Sequence, residues 1–288
     1  METVKAWEAF KTIDGRFRFF CMEGIVRMSD GQLVSARWKT RTPKPHGDDT
    51  SALHDVRPLE IHDRGPVMRP EWTRFSVARG GFDDSLFYIK KPTLLDYTDS
   101  NLSERIAREI AVYEHLRDHP HPHLATYYGC CVSANGHVDG LCLQRYRVSL
   151  QELCNPGRLN KKMFVAQGDQ RSTGTAPDHV QLHPGHLDGL LAGIRHLHHL
   201  GLVHNDINPA NIMVDYEGVA DGTVKLVLVD FDSCRPTGTS LHESRAGRTH
   251  GWHDSDVVTA EEDSDLHALS EVRVWLFGDV TELKWDWA

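Results

Sequence analysis

Long apolar runs are missing from this chain of 288 residues. One of the most sustained, VKLVLV at Val224 to Val229, is far shorter than the ~20 apolar residues that a bilayer-spanning helix needs. The N-terminal METVKAWEAFK is charged and aromatic, unlike the apolar core of a secretion signal. These features predict an intracellular protein, cytoplasmic or nuclear, with no membrane span. Positive charge is also scarce: 32 Lys and Arg stand against 41 Asp and Glu, a net charge of -9. That balance argues against a nucleic-acid partner, which would be held by clustered Lys and Arg on phosphates. The six cysteines form no Cys-x-x-Cys pair and no regular spacing, which disfavours a zinc module or a disulfide framework and predicts reduced thiols.

What is present fits a globular protein of one or two domains, with 40% hydrophobic and 25% charged residues. Nineteen histidines include HPHPH at His119 to His123, where the prolines prevent the helical spacing of a metal site and point to a structural turn. Residues 1–57 read as an extension with a hairpin, FRFF at Phe17 to Phe20 against GIVRM at Gly24 to Met28, followed by the polar linker TRTPKPHGDDTS. The sequence assigns that region no function. From Pro58 to Arg145 strand-like runs dominate: PLEIH, WTRFSVA and SLFYIKK, with RGGFDD as a tight connection. One helix follows them, LSERIAREIAVYEHL, its Leu102, Ile106, Ile110 and Tyr113 at helical spacing and Ser100 or Asn101 as cap. Residues 146–288 begin with a polar segment, Asn155 to Asp178, which reads as an exposed insertion. A helix, HPGHLDGLLAGIRHLHHLG, then places Leu187, Leu190, Leu191, Ile194 and Leu197 on one face, with Gly201 as its stop. A strand pair, IMVDYEGVADGTVKLVLVD, comes next.

Between that helix and the strand pair lies HNDINPAN, His204 to Asn211, and DFDSC begins at Asp230. A Pro-containing turn separates Asp206 from Asn211, so a carboxylate and an amide can aim at one point. Mg²⁺ takes hard oxygen ligands, which Asn211 and Asp230 supply, and Asp206 would orient or deprotonate an attacking hydroxyl.

With these residues in place, the sequence resembles the protein-kinase family over roughly Pro58 to Trp275. HNDINPAN is similar to the catalytic loop and VDFD to the metal-binding Asp-Phe-Gly segment. YIK at Tyr88 to Lys90 resembles the strand that presents the phosphate-binding lysine, with Lys91 as the competing neighbour, and Glu109 sits where the helix offers that lysine a carboxylate. SDLHAL at Ser264 to Leu269 resembles the helix whose Asp, here Asp265, braces the catalytic loop. The resemblance implies an α+β, two-lobed protein-kinase-like fold: residues 58–145 as a β-rich lobe with one helix, residues 146–288 as a reduced, mainly helical lobe lacking the last helices. It also implies ATP and Mg²⁺ as cofactors and a protein substrate with Ser or Thr hydroxyls; for the shortened lobe two alternatives stand, a minimal lobe or a partner that covers its exposed face. GLCLQRYRVSLQEL and DFDSCRPTG are similar to a group of fungal kinase-like proteins.

Five departures from the family pattern stand out. Asn205 replaces an Arg that contacts a phosphorylated activation segment, Asn208 replaces a lysine that steadies the transferred phosphate, and Asp232 replaces a Gly. No G-x-G-x-x-G precedes the lysine strand; the equivalent loop, HDRGPVMRP, has only Gly65. GRTHGW at Gly247 to Trp252 corresponds to the end of the activation segment, but no Ala-Pro-Glu follows it. The primary expectation is an ATP-dependent protein Ser/Thr kinase. A pseudokinase that serves as an interaction module and a phosphotransferase of the aminoglycoside or choline kinase type are the alternatives.

Overall fold

The computed structural model describes residues 1–14, 16–43, 50–76, 83–168, 182–215, 224–244 and 246–285. Parts of the predicted linker, of the RGGFDD connection, of the polar insertion and of the turn in the IMV strand pair lie outside the described residues.

The chain divides into two compact units. The first comprises Met1–Met68, Lys90–Arg105 and Val132–Gly140. Its main feature is a four-stranded antiparallel sheet in the order β1-β2-β3-β4, from Glu2–Ile13, Arg16–Arg27, Leu33–Trp38 and His54–Pro58. Along β3 burial alternates, and Val34, Ala36 and Trp38 join Met22, Val26 and Leu53 in one apolar cluster. Gly24 makes this possible: a Cβ there would come within 2.6 Å of both the Lys5 carbonyl and the Trp38 ring. The Trp38 indole donates to the Thr42 carbonyl at 2.9 Å, which satisfies its polar end.

Two sequence expectations are corrected here. FRFF and GIVRM are not opposite strands; both lie in β2, whose partner is the N-terminal stretch, with Ile13 facing Arg16 across the turn. The charges of METVKAWEAFK mask a strand whose Glu8 and Trp7 face solvent-side partners, Arg41 and Glu23. PLEIH is not a strand of its own either, because β4 ends at Pro58.

The second unit comprises Arg69–Ile89, Ile106–Cys131 and Leu141–Ala288. It holds most of β5 (Phe87–Lys90), α1 (Leu102–Asp118), β6 (Tyr127–Val132) and β7 (Val138–Gln144), with strand order β5-β7-β6. In its described part, residues 72–76, WTRFSVA contributes a bridge, Arg74 to Cys130, fixed by Glu114, which accepts the Thr73 amide at 2.6 Å and its hydroxyl at 2.8 Å. Next come β8 (Val148–Ser149), α2 (Leu150–Cys154), α3 (Lys161–Val165), α4 (His186–His199), β9 (Leu202–Val203), β10 (Ile212–Asp215), β11 (Lys225–Leu228), β12 (Arg235–Pro236) and α5 (Glu262–Phe277). Strands order as β11-β10-β8 and, separately, β12-β9.

α4 buries Leu187, Leu190, Ile194 and Leu197, while Leu191 is half-buried. Gly201 ends it with φ +72°, donating back to the His198 carbonyl at 2.8 Å. His123 of the HPHPH turn fills a notch at Gly189, where a Cβ would lie 2.1 Å from its ring, and its Nδ1 is 2.7 Å from the Leu226 carbonyl. The turn is thus a packing device between α4 and β11. All six cysteines are free thiols, and burial pushes Cys142 and Cys154 up to about 12.

The polar insertion is also corrected in part. Its first stretch forms α3, which buries Phe164 and Val165 and stacks Phe164 on Trp275 of α5, ring centroids 4.4 Å apart.

Candidate active site

The loop after β9 owes its shape to one carboxylate. Asp265 of α5, 1% exposed, accepts the His204 amide on Oδ2 at 2.8 Å and the Asn205 amide on Oδ1 at 2.9 Å. His198 Nε2 lies 3.0 Å from the same Oδ2. Three elements are thereby tied to one buried group, the bracing role that the resemblance implies for Asp265. The His204 ring is fully buried, edge-on to Phe231 at 5.2 Å, with Nε2 3.2 Å from the Val229 carbonyl. Phe231 in turn meets Tyr113 of α1 at 5.2 Å. His204 is a packed residue.

From this platform the loop presents Asp206 and Asn211. Asn208 accepts the Ala210 amide at 2.9 Å and so caps the short turn Pro209–Asn211. The turn brings Asn211 back on Asp206: its Nδ2 donates to Asp206 Oδ2 at 2.9 Å and to the Asp206 carbonyl at 3.0 Å. Asp230 is placed by sheet pairing. Ile212 faces Leu228 across β10 and β11, and the Val229 amide donates to the Asn211 carbonyl at 3.0 Å, so Asp230 follows directly beside the start of β10. Asp230 has φ +66°, a left-handed conformation that Asp and Asn tolerate better than other side chains.

A partner that the motif reading overlooked completes this cluster. Thr249 donates its amide to Asp206 Oδ1 at 2.7 Å and its hydroxyl to Oδ2 at 3.1 Å. Asn208 Nδ2 reaches the Thr249 hydroxyl at 3.1 Å. The available signal was a hydroxyl residue between Gly247 and Gly251 in GRTHGW. Beside it, burial draws the Arg248 pKa down while Asp254 and Asp206 oppose that shift.

Among the other predicted residues, Glu109 is 5% exposed in α1, within the same unit as Asp206, Asn211 and Asp230. Lys90 ends β5 and belongs to the first unit; it is half-buried, whereas Lys91 is exposed. Gly65 is committed elsewhere. A Cβ on it would fall 1.8 Å from the Val138 carbonyl, and its own carbonyl lies 2.9 Å from His137 Nδ1, so it serves close backbone packing within the first unit.

Hard oxygen donors suit Mg²⁺, and the residues present fit it. Both Asn211 Nδ2 bonds are directed to Asp206, which leaves the amide oxygen as the free end, and Asp230 adds a carboxylate. Among the described residues no group of three His, Cys, Asp or Glu could hold a metal ion. Mg²⁺ bound through one or two protein oxygens plus phosphate does not need such a group.

A family model described as protein kinase domain matches residues 78–280. This chain belongs to the protein kinase family. Its fold is accordingly the α+β kinase fold, and the match begins downstream of Gly65. The kinase domain is 31% identical over 137 residues to the human serine/threonine-protein kinase/endoribonuclease IRE2, covering 46% of this chain and 12% of that protein. It is 25% identical over 199 residues to IRE1 of Hypocrea jecorina, covering 67% of this chain and 14% of that protein. Mitogen-activated protein kinase kinase kinase 9 of Arabidopsis thaliana is 23% identical over 244 residues, 81% of this chain and 27% of that protein. The kinase domain thus spans well under a third of each of these relatives.

Among the described residues no helix is long and apolar enough to cross a membrane.

Proposed function

We propose that this kinase domain transfers the terminal phosphoryl group of ATP to Ser or Thr hydroxyls of proteins. The observation that carries this reading is the hydrogen-bonded set of Asp206, Asn211 and Thr249, beside the paired strand ends that carry Asp230. In this reading Asp206 accepts the proton of the substrate hydroxyl, and the Thr249 hydroxyl at 3.1 Å illustrates that an alcohol fits against its carboxylate. Asn211 and Asp230 would hold Mg²⁺, which when bound neutralises charge on the phosphate oxygens. Lys90, favoured over exposed Lys91 by its partial burial, and Glu109 are the phosphate-positioning residues of this reading. Residues 58–145 and 146–288 are the two lobes of this reading. Asn208 supplies no positive charge where the family resemblance implies a lysine, so turnover is slow.

One observation favours a second reading, a pseudokinase that serves as an interaction module. Both oxygens of Asp206 already accept hydrogen bonds, from Asn211 and twice from Thr249. Thermal melting separates the two. Millimolar Mg²⁺-ATP raises the melting temperature of the wild type, by the equivalent of about 2.7 kcal/mol at a hundredfold excess over Kd. Asp230→Asn, which keeps the left-handed backbone but removes the charge, loses that rise. Asp206→Asn keeps it yet lowers transfer to a generic basic protein by roughly 100-fold or more. A wild type whose melting ignores nucleotide leaves the interaction module, and transfer only to amino alcohols or aminoglycosides would move the substrate class.

A further inference from the structure

Lys161 stands where the sequence reads as a solvated insertion, yet its side chain is 11% exposed and that of its ion-pair partner, Glu271 of α5, 1%. The ammonium donates to Glu271 Oε1, to the Gly251 carbonyl at 2.8 Å and to the Trp285 carbonyl at 3.2 Å. Those three acceptors use all three N–H bonds of the group. The ammonium also sits 4.5 Å from the centroid of the Trp252 ring, which leans edge-on against Trp275 at 6.1 Å. Glu271 accepts the amides of Lys284 at 3.2 Å and Trp285 at 3.3 Å besides.

Gly251 is two residues from Thr249, and the intervening turn is closed on itself. The Thr249 carbonyl accepts the Trp252 amide at 3.1 Å and lies 2.9 Å from His253 Nδ1. Whatever holds Gly251 and Trp252 therefore holds Thr249, whose amide and hydroxyl hold Asp206. A buried ion pair adds little net stability compared with well-packed apolar side chains of the same volume. What the pair adds here is a fixed direction for the Gly251 carbonyl.

We propose that Lys161, oriented by Glu271, is a positioning residue for Asp206, acting through Gly251 and Thr249; its effect on rate rests on the phosphotransfer reading above. The test is the double variant Lys161→Met/Glu271→Leu, which removes both charges together and leaves no unpaired buried charge, while the Gly251 and Trp285 carbonyls and the Lys284 and Trp285 amides lose these side-chain partners. Compared with the wild type, kcat falls about 10- to 100-fold, as expected for a misplaced reacting group. The KM for ATP and the nucleotide-induced melting shift stay within about twofold. Hydrogen exchange at the Thr249 amide accelerates about tenfold or more.

A double variant that melts like the wild type and keeps wild-type kcat overturns the proposal, as does unchanged protection at Thr249. Should the wild type transfer no phosphoryl group, the phosphotransfer reading fails alone; the exchange measurement still decides whether Lys161 holds this segment, with unchanged protection counting against it. If the apolar pair does not fold, Lys161→Gln/Glu271→Gln takes its place under the same criteria, since a Gln is too short and has too few donors to bridge all three acceptors.

Discussion

Two non-glycine residues in the left-handed region, Asn205 and Asp230, both with φ 66°, bracket the candidate site. Such a conformation persists where the surroundings over-determine it. For Asn205 they do: its amides of main chain and side chain bond Asp265, the Val203 carbonyl at 2.9 Å and the Ser233 carbonyl at 3.1 Å. Asn205 is thus a structural tie where the resemblance implies an arginine for a phosphorylated segment. Arg235 acts similarly, donating to the carbonyls of Asp232, Cys234 and Ser244 at 2.7 to 2.9 Å. The segment after Asp230 is held by bonds to its own main chain. Asn205→Leu, which combines a bulky left-handed residue with two lost bonds, is expected to cost about 2 kcal/mol or more. Asn205→Gly keeps the backbone and costs less. Urea midpoints that are equal for the two variants would contradict this account.

At the level of elements, α3 and α5 show how a short helix becomes part of a core. α3 has five residues, too few for a helical period to show in sequence, and only the Asn160 cap, which accepts the Met163 amide at 2.8 Å, marks its start. Its position is decided by Phe164 against Trp275, both buried, and by Lys161 against Glu271. Trp275→Ala is expected to cost about 3–5 kcal/mol. Met163→Ala, 56% exposed on the same helix, stays within about 0.5 kcal/mol. Lys161→Met alone strands a buried carboxylate and costs about 3–5 kcal/mol, whereas the double variant recovers most of that. Guanidinium unfolding of the four proteins checks the set, and a double variant no more stable than Lys161→Met would refute the pairing.

For the whole molecule, the histidines set the response to mild acid. His121 is held below the ordinary value of 6.5 by burial, then by His196 and His123. Burial does the same to His253, with Arg248 adding to it. As pH falls, the unfolded chain takes up protons at these positions first, so stability declines from about 6.5 downward and levels off once the folded sites protonate. Asp63 is the opposite case: bonds from Asn135 and Ser133 hold it below the ordinary 3.8, so its contribution is lost only in stronger acid. Melting temperature should therefore fall between about pH 7.5 and 5.5, and less steeply for His121→Asn/His253→Asn. An identical slope for that double variant would remove these two residues from the explanation.

The sequence by itself determined the features that are local. The spacing of His204, Asp206, Asn211 and Asp230, the apolar face of α4 with Gly201 at its end, and the family that these patterns indicate were all legible, because one loop and its flanking strands or one helical period carry each of them. Tertiary structure decided what joins distant positions. Thr249 bonds Asp206 from 43 residues away, Lys161 meets Glu271 across 110, and β1 pairs with a β2 that contains both of the runs read as separate strands. Periodicity reports only which side of an element is apolar. Which polar side chain meets which, and which charged helix is drawn inside, follows from the requirement that every buried donor and charge find its partner.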